Sequence, residues 1–219
     1  MSSIYYQEIQ HVVNQSLQEM REQQNRGRVP KNALSETHFL VHWVTKALKT
    51  HQFDRCVVAD LVKWQKLGRT KGTLSDLLNT FIRISELYAQ VTPIDREREP
   101  LTEADFETLI HGLESQDWIV EIDEELSGKV RLESEGENSL VFCSKQLATV
   151  FENEQLVAPI SCYVRGDHQR FLQMATKAGI LMHKQSDYKS IVKYHGEYVI
   201  YPKNIASQLA EMPPLTDSK

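Results

Sequence analysis

In the first ninety residues apolar side chains return at every third or fourth position, whereas beyond Ile122 short runs return at every second. A chain with that change of period folds as consecutive helices followed by a region of short strands and helices, the α+β class. Ile4, Tyr5, Ile9, Val12, Val13, Leu17 and Met20 form one stripe and predict a helix over residues 3–25. Asn25 to Asn32, with Gly27 and Pro30, reads as a basic connecting loop. Phe39, Leu40, Trp43, Val44, Ala47 and Leu48 mark the buried face of a second helix, with Ser35 as its N-cap. A third helix spans residues 54–67 and uses Cys56, Val57, Leu61, Val62 and Trp64, with Gly68 placed to end it. Thr73 to Asp76 has the capping-box form and opens a fourth helix to residue 90, whose stripe is Leu74, Leu77, Leu78, Phe81, Ile84 and Leu87.

Pro93, Pro100 and the charge run Asp95 to Glu99 then break the pattern. They divide the chain into a helical region over 1–92, a linker over 93–100, a mixed α/β region over 101–212 and a frayed tail over 213–219. The expected architecture is a helical N-terminal half of four helices packed with a C-terminal unit of short strands and helices. Thr102 to Asp105 is a second capping box, whose helix ends near Ser115 ahead of a strand over 118–122. Residues 129–133 and 140–143 are strand-like runs around an acidic turn over 134–139. Ser144 opens a short helix. Residues 160–165, 167–178 and 180–184 read as strand, helix and strand, with Gly166 and Gly179 at the junctions. Residues 191–194 and 197–201 read as a last hairpin about His195 and Gly196, and 205–211 as a short helix.

Hydrophobic residues make up 41% and charged ones 25%, which excludes wholesale disorder. No apolar run approaches the length of a membrane span, and the N-terminus lacks a basic segment followed by an apolar one. Cys56, Cys143 and Cys162 lie far apart, which argues against a disulfide framework or a zinc site and for a reducing, cytoplasmic setting. No P-loop, dinucleotide fingerprint or serine-nucleophile signature occurs, so neither a cofactor nor a bound metal is expected, and the oligomeric state is left open. The net charge of −5 conceals a polarity: residues 21–73 hold eleven basic and four acidic side chains, and residues 74–139 five and seventeen. Segments of opposite sign facing each other would account for this without any ligand.

His38 and His42 lie one helical turn apart, a spacing that suits a shared metal, but no third ligand accompanies them. Lys63, Lys66, Arg69 and Lys71 surround a junction of helix, turn and capped helix, an outline shared with helix-turn-helix readers of DNA and with many ordinary helical proteins. Residues 160–204 hold seven basic and three acidic side chains and five of the eight tyrosines. Cations among aromatic rings suit single-stranded nucleic acid, with Lys189, Lys193, Tyr194 and Tyr198 as the contacts. Tyrosine is equally a normal half-buried strand residue. Asp167, His168, His183 and His195, with Asp187 and Glu197, are the one set that suits acid and base chemistry on a phosphate-bearing substrate, although Asp167 serves as simply as an N-cap.

Taken together, Ser35-Glu-Thr-His-Phe-Leu-Val-His-Trp43, the segment Leu61 to Gly72, Tyr163-Val-Arg-Gly-Asp-His168 and the segment Asp187 to Pro202 resemble a bacterial family, the domain of unknown function DUF2913. The resemblance runs from the first helix to about Met212. It implies a small, self-contained cytoplasmic protein and assigns no functional residue. The residues point first to a binding or regulatory protein whose ligand is nucleic acid, then to a phosphate-substrate hydrolase or transferase, or to an adaptor for a protein partner of opposite charge.

Overall fold

The computed structural model describes residues 4–93, 99–122, 125–126, 138–187 and 190–213. The chain divides into two compact units, residues 1–94 and 95–219. The first is helical. It contains α1 (Tyr5–Asn25), α2 (Ala33–Lys49), α3 (Val58–Lys71) and α4 (Leu77–Val91). Ile9, Val12, Val13, Leu40, Val44, Leu61, Leu77, Phe81 and Ile84 are buried together as the stripes demand. Helices α1 and α4 run antiparallel: Gln10 Nε2 donates to the Thr92 carbonyl at 3.0 Å, and Ser85 Oγ to Asn14 Oδ1 at 2.6 Å. Tyr5 donates its hydroxyl to Asp60 Oδ2 at 2.7 Å, tying α1 to α3.

Four helix boundaries differ from those expected. Helix α3 begins at Val58 rather than Asp54, because Asp54 caps a 3₁₀ turn over Arg55–Val57 by accepting from Cys56 N at 2.9 Å. Helix α2 is capped by Asn32, whose side chain accepts from Ser35 N at 3.0 Å, so Ser35 lies inside the first turn. Gly68 sits within α3. A Cβ there would meet Val41 and Leu77, so the glycine permits close contact between helices, and Gly72, at φ +54°, ends α3. Thr73 lies in a 3₁₀ turn over Gly72–Ser75, and Asp76, at φ +50°, precedes α4. Leu74 is therefore 86% exposed and leaves the buried stripe.

The second unit contains α5 (Glu103–Glu114), β1 (Ile119–Glu121), β2 (Ser139–Phe142), α6 (Ser144–Val150), β3 (Phe151–Glu152), β4 (Gln155–Leu156), β5 (Ile160–Arg165), α7 (His168–Lys177), β6 (His183–Ser186) and β7 (Gly196–Ile200). The Thr102–Asp105 capping box opens α5 as expected. The five-stranded sheet has the order β1-β2-β5-β7-β6, parallel between β1 and β2 and antiparallel elsewhere. Strands β5 and β6, joined through α7, thus run the same way with β7 between them. Leu140, Phe142, Ile160, Cys162, Val164, Tyr198 and Ile200 share a core with Phe106, Leu109, Phe171 and Leu172 from α5 and α7. The opposite face carries a smaller cluster of Val141, Tyr163 and Val192. The whole is α+β.

Strand β6 starts at His183, three residues later than the apolar run, because Asn204 holds the approach to it. Its side chain accepts from Leu181 N and donates to the Gly179 carbonyl, each at 2.8 Å. Residues 191–194 are a turn, and the partners of β7 are β5 and β6. Residues 205–213 form no helix: Glu211 N donates to the Met182 carbonyl at 2.8 Å. An unforeseen two-residue hairpin joins β3 to β4 through Asn153 (φ +49°) and Glu154 (φ +64°), the signature of a type I′ turn. The strand expected over 129–133, most of the acidic turn after it, Tyr188, Lys189 and residues 214–219 lie outside the described residues.

Candidate nucleic-acid interface

Helix α3 lies antiparallel to α2. Thr45 Oγ1 of α2 accepts from Gln65 Nε2 at 2.9 Å and from Arg69 Nη2 at 3.2 Å, while Gly68 faces Val41 one turn back. Lys63, Lys66 and Arg69 are exposed at three-residue intervals and line one side of α3. Lys71 is exposed too, but two residues past Arg69 it points to the other side of the helix. On α2 the exposed positions are Ala33 and Leu34 in the first turn and then His38, His42, Lys46 and Lys49. The acidic groups in this part of the unit are engaged by uncharged donors: Asp60 by the Tyr5 hydroxyl, Glu36 by Gln24 and Asp54 by Cys56 N. Among the described residues no ion pair involves any of the six Lys and Arg side chains of α2 and α3.

The helix-turn-helix outline does not survive in detail. In that motif the second helix carries the reading residues, but here the basic stripe lies on the helix before the turn. Helix α4 has a single cation, Arg83, which is half-buried. Its start at Leu77 also removes the helix N-terminus expected at Thr73.

In the second unit the tyrosines part company. Tyr198 is 1% exposed, packs on Phe171 with ring centroids 5.4 Å apart, and shares a hydrogen bond of 2.8 Å with His168 Nδ1. A ring enclosed in the core cannot stack on a base, so Tyr198 is not a stacking contact. Tyr194 is 49% exposed. The Lys193 ammonium lies 4.8 Å and the Arg165 guanidinium 5.9 Å from its ring centre. Its φ is +69°, a conformation few aromatic residues adopt. The turn beneath is tied down: Ser190 Oγ donates toward the Val192 and His195 carbonyls at 2.7 and 2.9 Å, and Val192 N returns to Ser190 Oγ at 3.2 Å.

The acid and base set comes together only in part: His168 packs against Gly196 and feels the charges of Asp167, Asp187 and His195, whereas His183 does not join them. Asp167 caps α7 by accepting from Arg170 N at 3.0 Å. His168 begins that helix and is held by Tyr198; burial first, then the Lys184 charge, lowers its pKa, with Asp187 and Asp167 opposing. Lys184 itself pairs with Asp187. His183, 1% exposed, lies edge-on to Tyr201, and among the described residues neither ring nitrogen makes a hydrogen bond of full geometry. Burial pushes its pKa down to about 4, against a weaker opposing effect of the backbone at Leu209 and Gln208. His195 is fully buried; its Nδ1 lies 2.9 Å from the Lys193 carbonyl and its Nε2 2.8 Å from Ser139 Oγ. A carbonyl can only accept, so Nδ1 carries the proton and the Ser139 hydroxyl donates to Nε2. Burial, and then Arg165, lower the His195 pKa. Serine donating to an oriented histidine has the form of an activated nucleophile. Ser139 is however 2% exposed, and the pair acts as a strut between β2 and the turn before β7.

Ser139 and Arg165 were not singled out in the sequence. They come to this place because β2 and β5 pair with Ser139 opposite Arg165, and directly opposed residues share a face. No local pattern encodes that register.

The family model described as protein of unknown function (DUF2913) matches residues 4–213. The chain belongs to this family. No curated protein and no solved structure matches it. Among the described residues of the DUF2913 chain, no helix is long and apolar enough to cross a membrane, and no group of three or more His, Cys, Asp or Glu side chains is placed to hold a metal ion.

Proposed function

We propose that this DUF2913 protein is a cytoplasmic nucleic-acid-binding protein, with a regulatory role, that contacts the phosphate backbone through the outer faces of α2 and α3. The observation that carries the reading is the row Lys63, Lys66 and Arg69 beside Lys46 and Lys49, exposed and without ion pairs among the described residues. Cations spent on internal neutralisation would be paired; these face water, where association with a polyanion releases counterions. Arg69 is also held in place by Thr45, which reduces the side-chain freedom lost on binding. Among the described residues Cys56, Cys143 and Cys162 form no disulfide, which agrees with a reducing compartment.

The test is binding to labelled oligonucleotide across a salt series. Replacing Lys63, Lys66 and Arg69 by Gln is expected to weaken binding for every sequence and to flatten the slope of log K against log salt by about 2, since each lost phosphate contact removes about 0.7–0.9. Lys71→Gln leaves the slope near its wild-type value, because that side chain points away from the row. A triple variant with the wild-type slope sinks the assignment.

A further inference from the structure

We infer that the turn carrying Tyr194 is a base-stacking site for single-stranded nucleic acid, with Lys193 and Arg165 placed for the flanking phosphates. The inference rests on the nucleic-acid reading above and adds the strand class. Three features meet at this residue. Tyr194 is a half-exposed aromatic on a turn where solvent would favour a small polar residue. Its backbone is held at φ +69°, where glycine or asparagine is favoured, and strain of this kind persists where the surroundings impose it. The surroundings do impose it: Ser190 bonds across the turn, and His195 is fixed between the Lys193 carbonyl and Ser139. The backbone that carries the ring is thus fixed in advance. Two cations lie within 6 Å of its centre, and the alternation of π-face and positive charge matches the alternation of base and phosphate along an unpaired strand. A duplex hides its base faces and offers nothing for the ring to stack on. A tyrosine that anchors a protein partner is instead typically surrounded by contacts that exclude water, and this one stands on a wet, cationic turn.

Two labelled strands of equal charge, each about twenty nucleotides long, separate stacking from charge: one of thymidines and one of abasic sites. Wild-type protein is expected to bind the thymidine strand about ten-fold more tightly. Tyr194→Leu loses that preference and leaves abasic binding unchanged, while Tyr194→Phe keeps it. Tyr194→Gly, which relieves the positive φ, loses the preference while its thermal midpoint stays at or above that of wild type, so loss of fold does not explain the result. Equal affinity of the wild type for both strands overturns the stacking site and leaves the phosphate reading standing. Absence of salt-dependent binding to the abasic strand overturns the phosphate reading, and absence of binding to either strand overturns both. If Tyr194→Leu binds the thymidine strand like wild type, the inference is wrong and the turn becomes a candidate contact for a protein.

Discussion

Two buried or half-buried side chains have behaviour that follows from their surroundings alone. Cys143 caps the short helix α6; burial acts to raise its pKa, but backbone N–H groups of Gln146, Leu126 and Lys145 and the Lys145 charge together bring it below the ordinary value. Burial instead pushes Cys56 up to about 11 and raises Cys162 further. Thiolate is the reactive form, so iodoacetamide is expected to label Cys143 first and Cys162 last, as peptide mass spectrometry at neutral pH would read. His183 makes a pH prediction. Its folded pKa of about 4 lies below the unfolded value of about 6.5, so the unfolded chain binds the extra proton between them. The stabilisation is complete above the unfolded pKa and is lost as pH falls toward the folded one. Between about pH 7 and pH 5 this residue alone removes roughly 2 kcal/mol. His168 and His195, also lowered, add to the fall. Urea midpoints at the two pH values are expected to differ less in His183→Leu than in wild type; an unchanged difference would refute this origin.

At the level of elements, the stripes on α1, α2 and α4, the Thr102 capping box and the extent of β5 were legible because each is written in adjacent residues. The boundaries that moved were set by contacts between elements. Gly68 shows how. In isolation a glycine near the end of a helical stripe reads as a terminator, yet the fold uses it where α3 meets Val41 and the start of α4. Gly68→Ala gains about 1 kcal/mol of helix propensity but drives a methyl group into the branched Val41 side chain and to 2.8 Å from Leu77 Cδ1. A net loss of about 1–2 kcal/mol is expected in denaturant unfolding; a gain would mean that the two helices part at little cost. The same logic explains β6, whose start depends on Asn204, twenty-one positions beyond His183.

Across the whole molecule the class and the change from helices to mixed structure were visible in the period of the apolar residues, whereas most of the candidate sites were not. Nearness in sequence drew Asp167, His168, His183 and His195 into one set. The topology keeps His168 near Asp167 and His195 but ties the two histidine rings to Tyr198, Ser139 and the Lys193 carbonyl, and buries His183 against Tyr201. Tyr194 and Tyr198, four residues apart, have opposite fates because one precedes β7 and the other points from it into the core. What brings Arg165 to Tyr194, and Ser139 to His195, is the register of three strands distant in sequence. The strand order also decides when this sheet can exist. As the chain is made, β5, α7 and β6 are complete before β7, yet β5 and β6 have no hydrogen bonds to each other and are joined through it. Until the last strand slides between them, both present unpaired edges, the state in which chains pair wrongly with their neighbours. The unit therefore closes late and in one step, with Gly196 to Ile200 as the bolt.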